Sequence, residues 1–107
     1  MSNIIMSKIE NTNNYDIKIN DTIIAILSIH ACMDFHKCVY INIIVKDYFY
    51  INDILDAIDK LLLDKYNYIY IAFTKQNKNN ILEQELIKYG YREIKEYIYG
   101  TLYSRSK

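Results

Sequence analysis

Residues 39–62 read VYINIIVKDYFYINDILDAIDKLL, and within this stretch the spacing of the apolar residues changes from two to about 3.6. Alternate residues from Val39 to Val45 are apolar, which is the period of a β-strand. After residue 50 the apolar positions fall at helical spacing, and Asn52 stands where a helix N-cap is expected. The stretch therefore predicts a strand that runs directly into a helix over residues 52–65.

The residues before this stretch predict antiparallel strands. Residues 15–19 alternate between apolar and polar side chains, and residues 22–33 form a long apolar run rich in β-branched residues. Asn20-Asp21 between them favours a tight hairpin turn, and residues 34–37 are the next predicted turn. No strand is assigned to residues 1–14, which are polar and Asn-rich after a short apolar patch.

The residues after the first helix predict a strand over 68–73, a helix over 80–89 and a strand-like segment over 91–103. Gly90 is placed to end the second helix, and Gly100 to divide the last segment in two. A strand–helix–strand unit implies a right-handed crossover and a parallel pair. The order β-β-β-α-β-α-β(β) predicts a mixed α/β fold, with helices packed on a mixed sheet and the 107 residues in one domain.

The amino-acid composition argues against several classes of function. The 13 basic and 13 acidic residues balance, which argues against a nucleic-acid partner bound through its phosphates. No apolar run is long enough to span a membrane and no signal peptide is visible, so a cytoplasmic protein is expected. Ile, Asn, Lys and Tyr, all with AT-rich codons, are abundant. This bias fits an AT-rich bacterium, phage, virus or mobile element, and a viral protein would lie in the host cytoplasm.

Two groups of side chains are weighed as sites. His30, Cys32, His36 and Cys38 have the residue types of a zinc site but lack its usual spacing, so buried cysteines and loop histidines are favoured and no metal is predicted. The acidic residues of the first helix, and Glu83 with Glu85 in the second, are interpreted as solvated helix faces.

Three tyrosines near the C-terminus are the candidate partner surface. Tyr97, Tyr99 and Tyr103 are assigned to one side of the final strand, either as packing residues or as an interface with a protein partner. If this strand is a sheet edge, it also provides a route to a homodimer.

The element order and two local patterns resemble GNAT-type N-acyltransferases over about residues 15–103. Members often carry an Asn eleven residues before a Gly-Phe pair, and Asn79 precedes Gly90-Tyr91 at that spacing. The run VYINIIVKDY resembles their central strand. The resemblance implies a GNAT-type fold, and the residues it would assign to acetyl-CoA are Ile43, Ile44, Val45, Asn52 and Asn79.

The parts that serve the cofactor in that family do not match. Its glycine-rich diphosphate loop corresponds to a stretch with Tyr50 at the basic position and Asp53 and Leu55 at glycine positions. Leu86 stands where members often carry a proton-donating Tyr, and residues 39–46 contain no Glu. We therefore expect no cofactor, and a small non-catalytic binding or inhibitor protein. The alternative is a divergent acetyl-CoA-dependent N-acyltransferase, with Lys46 replacing the missing Arg.

Overall fold

The computed structural model describes residues 3–31, 37–97 and 100–106. These residues form a seven-stranded mixed sheet, ordered β1-β2-β3-β4-β5-β7-β6, with two α-helices. The mixed α/β fold predicted from the sequence is confirmed. In chain order the elements are β1 (Ile4–Lys8), β2 (Asn14–Ile19), β3 (Thr22–Ala31), β4 (Cys38–Val45), a 3-10 turn (Tyr48–Tyr50), α1 (Ile51–Leu62), β5 (Tyr68–Thr74), α2 (Asn80–Tyr89), β6 (Arg92–Tyr97) and β7 (Gly100–Ser106).

The first strand, β1, corrects the prediction that no strand precedes residue 15. It pairs antiparallel with β2, with Ile4 opposite Ile19. The connecting turn is closed by the N–H of Ile9, which donates to the carbonyl of Asn14 at 2.9 Å. A five-residue strand is too short to show a clear period, so its pairing with β2, rather than its own pattern, determines its conformation.

The turn between β2 and β3 is the predicted hairpin. Asn20 and Asp21 have φ angles of 50° and 65°. A two-residue hairpin turn needs positive φ at both central positions, which Asn and Asp tolerate better than most residues. β3 then pairs antiparallel with β4, as predicted.

The start of α1 differs from the prediction. The helix spans Ile51–Leu62 rather than 52–65, and Asn52 is its second residue, not its N-cap. The chain enters the helix through the 3-10 turn, which Asp47 caps: its Oδ1 accepts from the N–H of Phe49 at 3.0 Å. A capping residue has an extended backbone and lies just before the first helical turn. Asp47 meets both conditions, whereas Asn52 already lies inside the helix.

The second helix, α2, has the predicted bounds and ends at the predicted Gly90, and the structure adds Asn79 as its N-cap. Oδ1 of Asn79 accepts from the N–H of Leu82 at 3.1 Å, and Gly90 ends the helix with a φ of 126°. A Cβ on Gly90 would also lie 2.6 Å from Nη1 of Arg105. The positive φ favours glycine there, and any larger residue would also displace the guanidinium of Arg105.

The final segment forms two strands, and the edge strand is β6 rather than β7. β7 lies between β5 and β6 and pairs antiparallel with both. Tyr97 lies on β6 and Tyr103 on β7, so the prediction that they share one side of a single strand is wrong; Tyr99 lies outside the described residues. Gly100 begins β7 so close to β5 that a Cβ would lie 1.6 Å from the carbonyl oxygen of Phe73.

The sheet has one covered and one open face. We call the side covered by α1 and α2 the helix face; inward residues of β4 and β5 pack there against apolar residues of both helices, such as Ile54, Leu55 and Leu86. We call the other side the open face. It carries alternate residues of the central strands, exposed or half-buried: Ile26, Ser28 and His30 of β3, Tyr40, Asn42 and Ile44 of β4, and Tyr68, Tyr70 and Ala72 of β5.

Among the helices described, neither combines the length with the apolar character that crossing a lipid bilayer demands.

Candidate ligand-binding cleft

A cleft opens where the two central strands separate. β4 and β5 pair in parallel from Cys38 opposite Tyr68 to Ile41 opposite Ile71. Beyond that last pair, β4 continues to Val45 and β5 to Thr74 without further pairing between these described segments. The diverging strands form a V in the middle of the sheet.

The β3–β4 register determines which backbone groups face this cleft. The N–H of Lys46 donates to the carbonyl of Ile24 at 2.8 Å. In an antiparallel ladder the residues that bond to one neighbour alternate with those that face the other. Ile44 therefore directs its N–H and C=O toward β3, whereas Ile43 and Val45 direct theirs toward β5 and into the cleft.

The cleft has a volume of about 430 Å³ and is lined from both faces of the sheet. Ser28, Asn42 and Ala72 line it from the open face, and Phe73 and Leu82 line it from the helix face. None of the described residues that line it has an ionisable side chain. The cleft thus offers backbone amides, neutral polar groups and apolar surface.

The 3-10 turn that follows β4 is capped by a side chain of its own. The peptide N–H groups at the beginning of a helix are a favourable place for an anion. Here the carboxylate of Asp47 already accepts from the N–H of Phe49. The side chain of Ile51, the first residue of α1, is buried in the core. The carboxylate of Asp47 therefore already uses one of the peptide N–H groups at this turn.

A hydrogen bond joins the two walls of the cleft. Nδ2 of Asn79, which caps α2 after β5, donates to the hydroxyl of Tyr48, which follows β4, at 3.0 Å. Sequence reasoning selected Asn79 from its distance to Gly90. It did not identify Asp47 as the cap of the adjacent turn, because that residue stands in no recognisable pattern.

The pair of Glu83 and Tyr103 corrects two sequence-based interpretations. Glu83, expected on a solvated helix face, is 5% exposed; it accepts from the hydroxyl of Tyr103 at 2.9 Å and lies 3.6 Å from the ammonium of Lys78. Tyr103, a candidate partner residue, is itself only 4% exposed. Burial, followed by the bond to Glu83, raises the pKa of the Tyr103 phenol.

A second polar cluster links α1 to the end of α2. Oδ2 of Asp59 accepts from Nε of Arg105 at 3.2 Å, and the Tyr89 hydroxyl contacts both Asp56 and Asp59. Asp59 therefore lies within the molecule rather than on a solvated face. Burial first, and then these hydrogen bonds, raise the pKa of Tyr89. The hydroxyl of Tyr91, also buried, has no hydrogen-bond partner among the described residues.

The candidate metal ligands are only partly described. His30 is exposed on the open face, opposite Tyr40, and Cys38 is buried at the start of β4. Cys32 and His36 lie outside the described residues. In the described part of the chain, no group of three or more His, Cys, Asp or Glu side chains is placed to hold a metal ion.

Comparison with known proteins identifies the fold. No protein-family model matches the sequence, and no curated protein matches it. Solved structures do match. An acetyltransferase of the GNAT family from Listeria monocytogenes has a TM-score of 0.66 at 14% identity, over 89% of this chain and 64% of that one. Aminoglycoside acetyltransferase AAC(6')-Ib, in complex with coenzyme A, has a TM-score of 0.70 at 10% identity, over 88% and 65%.

A third match is more equal in length. The N-terminal domain of ribosomal-protein-alanine acetyltransferase from Clostridium acetobutylicum has a TM-score of 0.69 at 13% identity, over 94% of this chain and 88% of that one. The present chain spans less than two thirds of the first two structures. At these identities the likeness shows the fold, and the chain has a GNAT-type fold.

Proposed function

We propose that this chain is a non-catalytic binding protein that holds an extended, amide-bearing ligand in the cleft between β4 and β5. The pantetheine arm of an acyl-CoA is the ligand that fits this description best, so the proposal departs from the sequence-based expectation that the chain binds no cofactor. The observation that carries the proposal is the end of the β4–β5 ladder at Ile41 and Ile71, beyond which the strands enclose about 430 Å³.

The chemistry of the cleft favours a ligand with secondary amides. The backbone groups of Ile43 and Val45 face the cleft with the spacing of a strand, so an extended amide chain can add to them as another strand would. Pantetheine carries two such amides in a flexible chain. The structural neighbour AAC(6')-Ib was solved with coenzyme A, which contains this arm.

The same cleft is poorly equipped for group transfer. Acyl transfer to an amine is assisted by a group that takes up or supplies a proton within hydrogen-bond reach of the reacting atoms. None of the described residues lining the cleft has an ionisable side chain. Leu86, at the position where GNAT members often carry a Tyr, is buried and apolar. This lining supports binding without transfer.

The ADP half of CoA should contribute little to binding. A diphosphate at the start of α1 would meet the carboxylate of Asp47, which already uses the N–H of Phe49. We therefore expect S-acetylpantetheine, which lacks the diphosphate, to bind about as tightly as acetyl-CoA. Isothermal titration calorimetry with the two compounds tests this directly.

A variant that fills the cleft completes the test. Ala72→Trp places a large side chain at the open-face rim and should abolish the binding of both compounds. Ile5→Trp, at an exposed position of β1 away from the cleft, is the matched control and should bind normally. Absence of heat with both compounds in the wild-type chain, or unchanged binding in Ala72→Trp, would reject the proposal.

A divergent N-acyltransferase is the second candidate function. One observation favours it: the cleft is lined from both faces of the sheet, so a thioester and an acceptor amine could approach from opposite sides. Mass spectrometry of acetyl transfer to a panel of amines and peptides tests this function. A product that depends on the open cleft, and is lost in Ala72→Trp, supports it; absence of product from a chain that binds acetylpantetheine rejects it.

A further inference from the structure

We propose that the open face carries a separate site for a mononucleotide, formed by one row of side chains across five strands. The pairing places His30 opposite Tyr40, Tyr40 opposite Tyr70, Tyr70 opposite Ser104, and Ser104 opposite Arg92. Directly opposite residues point to the same side of a sheet. The row therefore runs across the open face from an imidazole, over two phenols, to a guanidinium.

The aromatic part of the row provides a stacking surface. The rings of Tyr40 and Tyr70 lie 5.2 Å apart between centroids, and those of Tyr68 and Tyr70 lie 6.2 Å apart and nearly parallel, at 11°. Tyr40 and Tyr68 are each 38% exposed. Partly exposed tyrosines grouped on a sheet are suited to stack a planar base, which is worth about 1–3 kcal/mol per base.

A groove extends from these rings to the arginine. Tyr68, Tyr70, Ser104, Ser106 and Arg92 line a space of about 430 Å³, within the size range of small-molecule sites. The phenols and serines supply neutral hydrogen-bonding groups along it. A base that stacks on the tyrosines can therefore direct its phosphate toward the guanidinium.

The charge on Arg92 is available for such a phosphate. The other arginine of the chain, Arg105, is engaged by Asp59, whereas no described carboxylate lies within ion-pair distance of Arg92. Glu93 also borders the groove, but it is paired with Tyr103 and so belongs to the helix face. The planar guanidinium of Arg92 can offer parallel N–H groups to the oxygens of a phosphate.

The charge balance selects a single nucleotide over a nucleic-acid strand. A strand is held mainly by many contacts to phosphates, and a chain with zero net charge has few cations to provide them. The row offers one arginine and one group of aromatic rings, which match one phosphate and one base. This site does not depend on the function proposed for the cleft.

Calorimetry with AMP and adenosine tests the assignment. Arg92→Gln should weaken AMP about tenfold and leave adenosine unchanged, because the lost interaction is with phosphate. Tyr70→Ser should weaken both about tenfold, because the lost interaction is with the base. Lys18→Gln, which removes a cation elsewhere on the open face, and Phe49→Ser, which removes an exposed aromatic ring outside it, should bind both as the wild type does. Urea unfolding establishes that each variant is folded.

Four results would overturn the proposal, three of them with small ligands. The first is no heat at millimolar AMP, and the second is equal AMP affinity in wild type and Arg92→Gln. The third is displacement of AMP by S-acetylpantetheine, which would place the nucleotide in the cleft instead. A single-stranded RNA that bound roughly a hundredfold more tightly than AMP, with steep salt dependence, would assign the row to a nucleic-acid strand and also reject the mononucleotide.

Discussion

The helix face and the open face are built by the same strands but have different roles. In β4, Ile41 and Ile43 point to the helix face and are 2% and 8% exposed, whereas Tyr40 and Ile44 point to the open face and are 38% and 61% exposed. Successive side chains of a strand alternate between faces, so one strand serves both. The folded state depends on the first set, and the second set is free of that constraint.

This difference shows where binding residues can be placed on so small a domain. The apolar side chains that α1 and α2 cover cannot be exchanged for polar ones without loss of stability. The open face and the cleft can carry asparagines, serines, tyrosines and an arginine at little cost, because these side chains remain hydrated. The proposed mononucleotide site lies on the open face, although its Ser104 is buried, and the cleft combines open-face residues with Phe73 and Leu82 of the core.

The largest expected effect comes from truncating the same side chain on the two faces of β4. Ile41→Ala leaves a cavity in the core and should lower the free energy of unfolding by about 2–5 kcal/mol. Ile44→Ala should change it by less than about 0.5 kcal/mol. Urea denaturation followed by circular dichroism measures both. Similar losses in the two variants would mean that something covers the open face in solution.

Tyr103→Phe tests the buried pair beneath α2. The substitution removes the donor to Oε1 of Glu83 and leaves a carboxylate of 5% exposure with only the more distant Lys78. We expect a loss of about 1–3 kcal/mol in the free energy of unfolding. Tyr103→Phe combined with Glu83→Leu is the control, since it removes both partners and should recover part of the loss. No recovery would show that the hydrogen bond is not the cause.

Tyr91→Phe should stabilise the folded chain, which is the opposite of the effect expected for Tyr103→Phe. The Tyr91 hydroxyl is buried without a partner among the described residues, so its removal should raise the free energy of unfolding by about 1 kcal/mol. Urea unfolding at pH 8 measures this gain. A loss of stability would mean that the hydroxyl has found a partner in solution.

The dependence of the free energy of unfolding on alkaline pH gives a further test of the buried tyrosines. Burial, together with Asp59, raises the pKa of Tyr91, and burial also raises those of Tyr89 and Tyr103. The folded chain therefore retains phenolic protons that the unfolded chain releases near pH 10. As far as these three phenols are concerned, the free energy of unfolding should stay constant below that pH. It should fall as the pH rises above it. The free energy of unfolding should fall less steeply with pH in Tyr91→Phe. An identical slope in the variant and the wild type would contradict the raised pKa of Tyr91.

The sequence predicted most of the fold because most elements have a clear period or a diagnostic turn. The alternating apolar residues of β4, the Asn20-Asp21 turn and the Gly90 end of α2 each depend on local chemistry. β1 was missed because its conformation is determined by its pairing with β2. The prediction of an N-cap at Asn52 was wrong because the helical segment begins one turn earlier, with the 3-10 turn that Asp47 caps.

The sites were less predictable because they depend on pairing between distant residues. The backbone of Ile43 and Val45 was selected from the resemblance, but Ile44 faces β3, which only the register reveals. Tyr103 was left open between a packing residue and an interface residue because a strand position does not disclose which neighbours cover it. The row from Tyr40 to Arg92 joins residues from separate strands, so no spacing along the chain could have indicated it.

The smallest expected effect on stability concerns the bond that crosses the cleft. Tyr48→Phe removes the acceptor for Nδ2 of Asn79 but leaves the cap of α2, made by Oδ1, in place. The free energy of unfolding should fall by about 0.5 kcal/mol, as for other partly exposed hydrogen bonds. The released amide can then donate to a ligand, so affinity for S-acetylpantetheine should rise about two- to threefold in calorimetry. Tyr66→Phe, a half-buried phenol outside the cleft, is the control and should leave affinity unchanged. Weaker binding in Tyr48→Phe would instead mean that the bond holds the two walls at the distance the ligand needs.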